Sequence, residues 1–503
     1  MEFYKRNRNS IFIFLLFFIS YAIRLYYLPS IPIYGDEAAY AEIIDELNRT
    51  PSLLPHFMGH IVSWKPTFGF AVYSAIINII WMLNPRIPLE VAYRFPSIIF
   101  GVLSTLALYF LVRKLYGEEL AFLSSLIFTT NCISIAISEA LLLDTLVLFL
   151  LISGVLFYAE GERNKKYFYY GGLAGALLFL TKSIIALLLP ALAISYYVGD
   201  RRIGREVSRG KAFLLSLSAV PLAMLLYALL FFLHAPLGKG ADITVSYVYD
   251  IFFRVYAHTN FEPHLLQNTI EFLKLTAPWC ILFFSGVMLM KFNKREDRFI
   301  FIWLLLTLVF LGAGQFYSWY YLQALPPFSV VCAKPLVEVK NKRFFIPAFL
   351  LLLLLSFPSI ANSDFMNSYL YPFQINAEKM ETGVFLRDRY DVLSITENGI
   401  PEVVFYKFHG ENKPNYSGFQ MIVLDPFGIA SYTAYPTLSE IAMGRVHKRN
   451  LTDAGEVKLL INNSKYVVMD SKVYGIYSSS PSHNYSLILN SSQGSYVILE
   501  KTK

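Results

Sequence analysis

The sequence predicts a polytopic α-helical membrane protein of about eleven spans, with interfacial helices in its first outer loop and a small C-terminal α/β domain outside the membrane. Three observations predict it. Of 503 residues, 55% are hydrophobic and only 16% are charged, whereas soluble domains carry about 25% charged residues. The apolar residues gather into runs long enough to cross about 30 Å of hydrocarbon. Residues 361–503 instead separate short β-like runs with Asn, Ser, Gly and Pro.

The apolar runs lie near 11–28, 91–112, 119–137, 141–159, 167–181, 183–198, 211–233, 270–290, 299–314, 320–337 and 344–360. Between them the basic clusters alternate. Lys5/Arg6/Arg8, Arg113/Lys114, Arg163/Lys165/Lys166, Arg201 through Lys211, Lys291 through Arg298 and Lys340/Lys342/Arg343 all fall on one side. Lys and Arg mark the cytoplasmic side, so the N-terminus is expected inside and the C-terminus outside. The net charge of +7 resides in these clusters and is no nucleic-acid signal. The basic N-terminus before an apolar run resembles a signal peptide, but no small-residue cleavage site follows, and the run reads as an uncleaved first span. Cys132, Cys280 and Cys332 lie in apolar segments and suggest neither disulfides nor a thiolate metal site.

Phe68–Leu83 spoils the alternation if counted as a crossing, so it reads as an interfacial or half-inserted helix within the outer loop 30–90. Asp36–Asn48 reads as another short helix there, because Ala38, Ala41, Ile44 and Leu47 recur at helical spacing. The expected division is a membrane catalytic domain over 1–360 and an extracytoplasmic α/β domain over 361–503. In the latter, strands are expected at Glu402–Phe408, Gln420–Leu424, Tyr466–Met469, Tyr485–Leu489 and Tyr496–Leu499, with a helix at Leu451–Asn462. Asn-x-Ser/Thr sequons at Asn415, Asn450, Asn462, Asn484 and Asn490 agree with an exterior location.

This topology gathers the unusual polar residues at one end. Asp36-Glu37 follows the first span, where Asp36 suits a helix N-cap and Glu37 a favourable charge in the first turn. Lys65 and Arg94 suit either snorkelling at the lipid boundary or a phosphate at headgroup depth. Asp144 stands among leucines and must find a partner, since ionisable groups in membranes are functional by default. Lys182 interrupts an apolar double crossing, as an outer turn or a cation for the same site. Gln315 through Tyr321 suits an interfacial aromatic belt or a surface for a lipid-linked sugar. His234, His258, His264 and Glu262 share an outer loop without the spacing of a metal site. A carboxylate pair, several cations, a buried Asp and aromatics at one boundary suit group transfer from a lipid phosphate. A carboxylate would deprotonate an acceptor hydroxyl, and cations would stabilise charge growing on the departing phosphate. The rival class is a transporter or flippase of lipid-linked sugar or polysaccharide; its polar groups would sit near the midplane within inverted repeats, and neither is seen. A purely structural or binding protein comes third.

The same residues resemble motifs of the GT-C glycosyltransferases, in the branch of dolichyl-phosphate-mannose–protein mannosyltransferases and lipid A aminoarabinose transferases. Asp36-Glu37 with Tyr40 is similar to the first-loop acidic motif. Lys65-Pro66 is similar to a Lys-Pro-Pro element, with Thr67 replacing the second Pro. Arg94-x-Pro96-Ser97 with Gly101, Ser138 through Asp144, and Tyr320-Tyr321-Leu322 with Pro326 resemble three further elements. Gly172 through Pro190 resembles a Gly-Leu…Leu-Thr-Lys-Gly…Leu-Pro stretch, with Ser183 replacing Gly. The resemblance implies inverting transfer from a polyprenyl (dolichyl) phosphate sugar to a protein, lipid or glycan acceptor. Asp36 would be the general base, with Glu37 and Asp144 completing the catalytic set. Tyr40, Lys65, Arg94, Lys182, Tyr317, Tyr320 and Tyr321 would contact the donor. No cofactor is certain and a divalent metal is left open, with His258, Glu262 and His264 as its only candidate ligands. Ala39 stands where the aminoarabinose enzymes have Arg, and Trp64 where relatives often carry His or Glu. No MIR-like insertion interrupts 234–268, and neither Trp-Trp-Asp-Tyr-Gly nor Asp-x-Asp occurs, against an oligosaccharyltransferase subunit.

Overall fold

The computed structural model describes residues 2–26, 33, 36–57, 60–61, 65–198, 207–234, 265–312, 318–338, 347, 349–354, 356, 382–387, 389, 392–396, 409, 419–423, 464–470, 485–490 and 496–501. Apart from one short strand pair, the described helices precede the described strands of a sheet in the tail. The chain runs α1 (Glu2–Tyr26), α2 (Asp36–Arg49), a small antiparallel pair β1 (His56–Phe57) and β2 (His60–Ile61), α3 (Thr67–Leu83) and α4 (Leu89–Tyr116). It continues through α5 (Glu118–Thr129), α6 (Cys132–Ser138), α7 (Asp144–Glu160), α8 (Lys166–Lys182), a 3-10 turn Ser183–Leu187 and α9 (Leu188–Tyr197). Then follow α10 (Val207–Leu217), α11 (Ala219–His234), α12 (Leu265–Leu275), α13 (Cys280–Met288), α14 (Arg295–Gly312), a 3-10 turn Ser318–Ala324 and α15 (Leu325–Glu338).

The apolar runs thus form helices, but several are short or broken. Among the described residues three helices are long and apolar enough to cross a membrane, or up to five if each bent pair counts as one span. The run near 119–137 bends by 62° between α5 and α6, and that near 270–290 by 113° between α12 and α13. Local chemistry places the first break. The side chain of Asn131 accepts from the amide of Ile133 at 3.0 Å, capping α6 and stopping α5 from running on. Between α4 and α5, Gly117 takes φ 98°, a conformation that glycine adopts without a Cβ penalty. The outer-loop helix expected at Asp36–Asn48 is α2, and the apolar stretch Phe68–Leu83 is α3.

The chain divides into two compact units, one of residues 1–29, 76–229 and 251–370, the other of 30–75, 230–250 and 371–503. Residues 30–75 therefore group with the tail. In the first unit, α4, α5, α7 and α8 pack side by side, with α15 against α5. One end of it is tied by ion pairs. Lys334 meets Asp297 at 2.8 Å, Tyr116 donates to the same carboxylate at 2.8 Å, and Lys114 pairs with Glu160 at 3.3 Å.

The second unit holds a five-stranded mixed sheet: β3 (Val392–Thr396), β4 (Phe419–Val423), β5 (Tyr466–Asp470), β6 (Tyr485–Asn490) and β7 (Tyr496–Lys501). Its order is β4-β3-β5-β7-β6, with β3 parallel to β4 and β5, and β7 antiparallel to β5 and β6. Tyr466 through Met469 are buried in succession, the pattern of a strand covered on both faces. Four expected strands fall on β4 to β7, and β3 was not foreseen. Glu402–Phe408 and Leu451–Asn462 lie outside the described residues. His409 Nδ1 meets Asp45 at 2.8 Å, tying the tail to α2 within this unit.

Candidate functional site

The residues expected at the site fall in both units. In the second unit, α2 opens at Asp36, whose carboxylate is favoured by the helix N-terminus. Adjacent helical residues point about 100° apart, and here that separates the two acids: Asp36 is exposed, while Glu37 is only 1% exposed. Glu37 sits with Ala38, Ala41 and Ile44, all buried. Tyr40 lies one turn beyond Asp36 on the same face. The ammonium of Lys65 stands 4.2 Å from the Tyr40 ring centroid, and Phe70 packs edge-on against that ring at 5.4 Å. Lys65 is thus fixed over the aromatic ring of Tyr40. Thr67, next in the Lys-Pro-Thr element, donates to the carbonyl of Leu53 at 2.6 Å and pins the start of α3.

In the first unit, α7 and α8 form a hairpin of two 17-residue helices. Equal lengths bring the first residue of α7 to the last of α8. These are Asp144 and Lys182, paired at 2.6 Å with side-chain exposures of 1% and 9%. A carboxylate at a helix N-terminus and a cation at a C-terminus each suit the backbone dipole. Lys182 also stands 4.8 Å from the Tyr320 ring centroid. The partner that Asp144 required is therefore Lys182, which the sequence had suggested only as an outer turn or a donor cation. Immediately after Lys182, Ser183 takes φ 24°, ψ −97°. That left-handed backbone favours glycine, the residue standing there in the motif this stretch resembles. Tyr321 is buried beside Phe272, ring centroids 5.5 Å apart.

Arg94 is 3% exposed on α4. One turn on, Ser97 donates to the carbonyl of Leu142 at 3.2 Å, holding the turn that leads into Asp144. Sequence reasoning assigned no role to two charged groups here. Arg24, fully buried on α1, donates to the carbonyl and hydroxyl of Ser20 and to the hydroxyls of Thr129 and Ser134, at 2.7–3.0 Å. Gly101 makes room for it, since a Cβ there would lie 2.8 Å from Arg24 Nε and 2.4 Å from Ser138 Oγ. Glu139, in the turn after α6, has Oε1 sealed from solvent and without a hydrogen-bond partner among the described residues. Burial pushes its carboxyl up to about 8, against the pull of Arg24 and Arg94. The signal for Arg24 was in the sequence: an arginine inside the first apolar run.

Tyr317, His258, Glu262 and His264 lie outside the described residues. Among the described residues no group of three or more His, Cys, Asp or Glu is placed to hold a metal ion.

The fold, a helical unit joined in one chain to a mixed-sheet tail, is shared with solved structures. Crystal structures of ArnT from Cupriavidus metallidurans, apo and bound to undecaprenyl phosphate, match with TM-scores of 0.69 and 0.68 over 97% of both chains, at 14% identity. The archaeal oligosaccharyltransferase AglB from Archaeoglobus fulgidus matches with a TM-score of 0.57 over 99% of this chain and 75% of its own, at 11% identity. In sequence, a family model described as dolichyl-phosphate-mannose-protein mannosyltransferase matches residues 71–233. An undecaprenyl phosphate-alpha-4-amino-4-deoxy-L-arabinose arabinosyl transferase from Aeromonas hydrophila is 28% identical over 342 residues, covering 63% of this chain and 58% of the relative.

Proposed function

We propose that this protein transfers a sugar from a polyprenyl monophosphate donor to an acceptor hydroxyl on the outer face of the membrane, with inversion. Asp36 takes the proton from the acceptor hydroxyl as its oxygen bonds to the anomeric carbon. The bond from that carbon to the phosphate oxygen breaks, and the lipid phosphate leaves with the electron pair. Lys65 and Arg94 stabilise the charge it gains, and Lys182, paired with Asp144 and set against Tyr320, is a further donor-side cation. Glu37 supports α2 from its buried side. The observation that carries this reading is the face of α2, where an exposed carboxylate stands one turn from a ring that carries a lysine.

In this reading the chain crosses the membrane eleven times, with its N-terminus cytoplasmic, α3 interfacial, and residues 361–503 outside. The arabinosyl transferase relatives make an aminopentose on undecaprenyl phosphate the first donor to try, and the mannosyltransferase family model makes mannose on a polyprenyl phosphate the second. The acceptor is a protein, a lipid or a lipid-linked glycan. Asp36→Asn tests the assignment: transfer should be abolished while folding and lipid-phosphate binding persist. Wild-type turnover in that variant would refute Asp36 as the base. Mass analysis of lipid- and protein-linked glycans from cells lacking the protein would name the sugar and the acceptor; an unchanged glycan profile would count against transfer altogether.

A further inference from the structure

Three residues beyond Tyr320, in the same 3-10 turn, Gln323 is 0% exposed, and among the described residues neither its amide nitrogen nor its amide oxygen has a hydrogen-bond partner. Its chain neighbours Leu322, Ala324 and Leu325 are apolar and equally buried. A carboxamide offers two N–H donors and an acceptor oxygen, and enclosing it unsatisfied opposes folding. Leucine would fill the position at no such cost.

The position of Gln323 suggests what it is for. A 3-10 helix has three residues per turn, so residues i and i+3 eclipse. Gln323 therefore shares a face of the turn with Tyr320, the ring that carries Lys182. The turn packs against α14 and α15 and against α6 and α7, the helices that lead into Glu139 and start at Asp144. An unsatisfied donor–acceptor pair thus lies on the same face of the turn as the ring that carries Lys182. A group that both donates and accepts would satisfy it, and hydroxyls and amines of sugars are such groups.

We propose that Gln323 binds a hydroxyl or amino group of the sugar being transferred, making it a residue that selects the donor. This rests on reading the chain as a lipid-phosphate glycosyltransferase. Sites built to bond a substrate hydroxyl reject analogues that lack it far more strongly than apolar pockets discriminate by size.

The test uses the full-length protein in lipid nanodiscs, with Gln323→Leu and Gln323→Met. The probes are undecaprenyl phosphate, bare or charged with 4-amino-4-deoxy-L-arabinose, and the readouts are melting temperature and transfer kinetics. Both variants should melt at or above the wild type and keep its stabilisation by the bare lipid phosphate. The extra stabilisation that the sugar confers on the wild type should vanish in both. Donor kcat/KM should fall by at least about 10-fold, with acceptor KM within about twofold. The proposal is overturned by variants that melt well below the wild type, by a sugar-dependent shift that is retained or missing from the wild type, or by an effect confined to acceptor KM. Absence of wild-type turnover with any charged donor would defeat the functional reading instead, and the melting comparison would still decide the role of Gln323.

Discussion

Burial, rather than distance, should set the energetic weight of the Asp144–Lys182 pair. Lys274 and Glu271 make an ion pair of the same 2.6 Å length, but with side-chain exposures of 61% and 24% rather than 9% and 1%. Solvent screens the exposed pair, so Lys274→Ala should change stability by no more than about 0.5 kcal/mol. Removing one member of the buried pair strands a charge and should cost about 3–5 kcal/mol. Lys182→Met should be worse than Asp144→Ala, because the stranded carboxylate is the deeper group and a lysine can extend its head toward water. Replacing both at once, as Asp144→Leu with Lys182→Met, should recover most of the lost stability without recovering activity. The assay is unfolding in detergent micelles followed by intrinsic fluorescence, as a double-mutant cycle. Equal losses from Lys182→Met and Lys274→Ala would refute the argument. So would a double replacement as unstable as the two single losses added together.

Two other perturbations follow from local geometry. Ser183 holds a backbone that favours glycine, so Ser183→Gly should stabilise the protein by about 1 kcal/mol; an unchanged or lower melting temperature would show the turn to be unstrained. Glu139 has a folded-state pKa raised from 4.5 to about 8 by burial. Its contribution is therefore complete below about pH 4.5 and is lost as pH rises through 8, by at most about 5 kcal/mol. Glu139→Gln should flatten that part of the stability–pH curve, and a variant that keeps the wild-type slope would rule out Glu139 as its source.

Much of the fold was legible because bilayer length and helical period leave a strong pattern. Asp36–Asn48 declared itself by its apolar spacing, and α3 by an apolar stretch that did not fit the charge alternation. The breaks at Thr130–Asn131 and near Pro278 are marked in the sequence by a capping Asn and a Pro, but the apolar length of a run does not register them. Strand β3 was missed although Asp391 before it and Asn398-Gly399 after it are turn signals; Val392–Thr396 itself is only five residues long. In the site, the need of Asp144 for a partner could be read, but its identity could not. Lys182 lies 38 residues away, and only a hairpin of matched helices brings it within reach. Gln323 gave no sign at all, because its neighbours in the chain are those of an ordinary interfacial segment.

The sequence by itself determined a membrane-embedded helical chain, because hydrophobicity acts residue by residue along the chain. It also singled out the residues proposed to carry transfer chemistry. Only the tertiary structure decided which of two adjacent acids is exposed, which cation neutralises the buried aspartate, and that Arg24 is sheathed in hydroxyls. Those outcomes depend on helix rotation and on contacts between distant segments, and neither is written in any local stretch of residues.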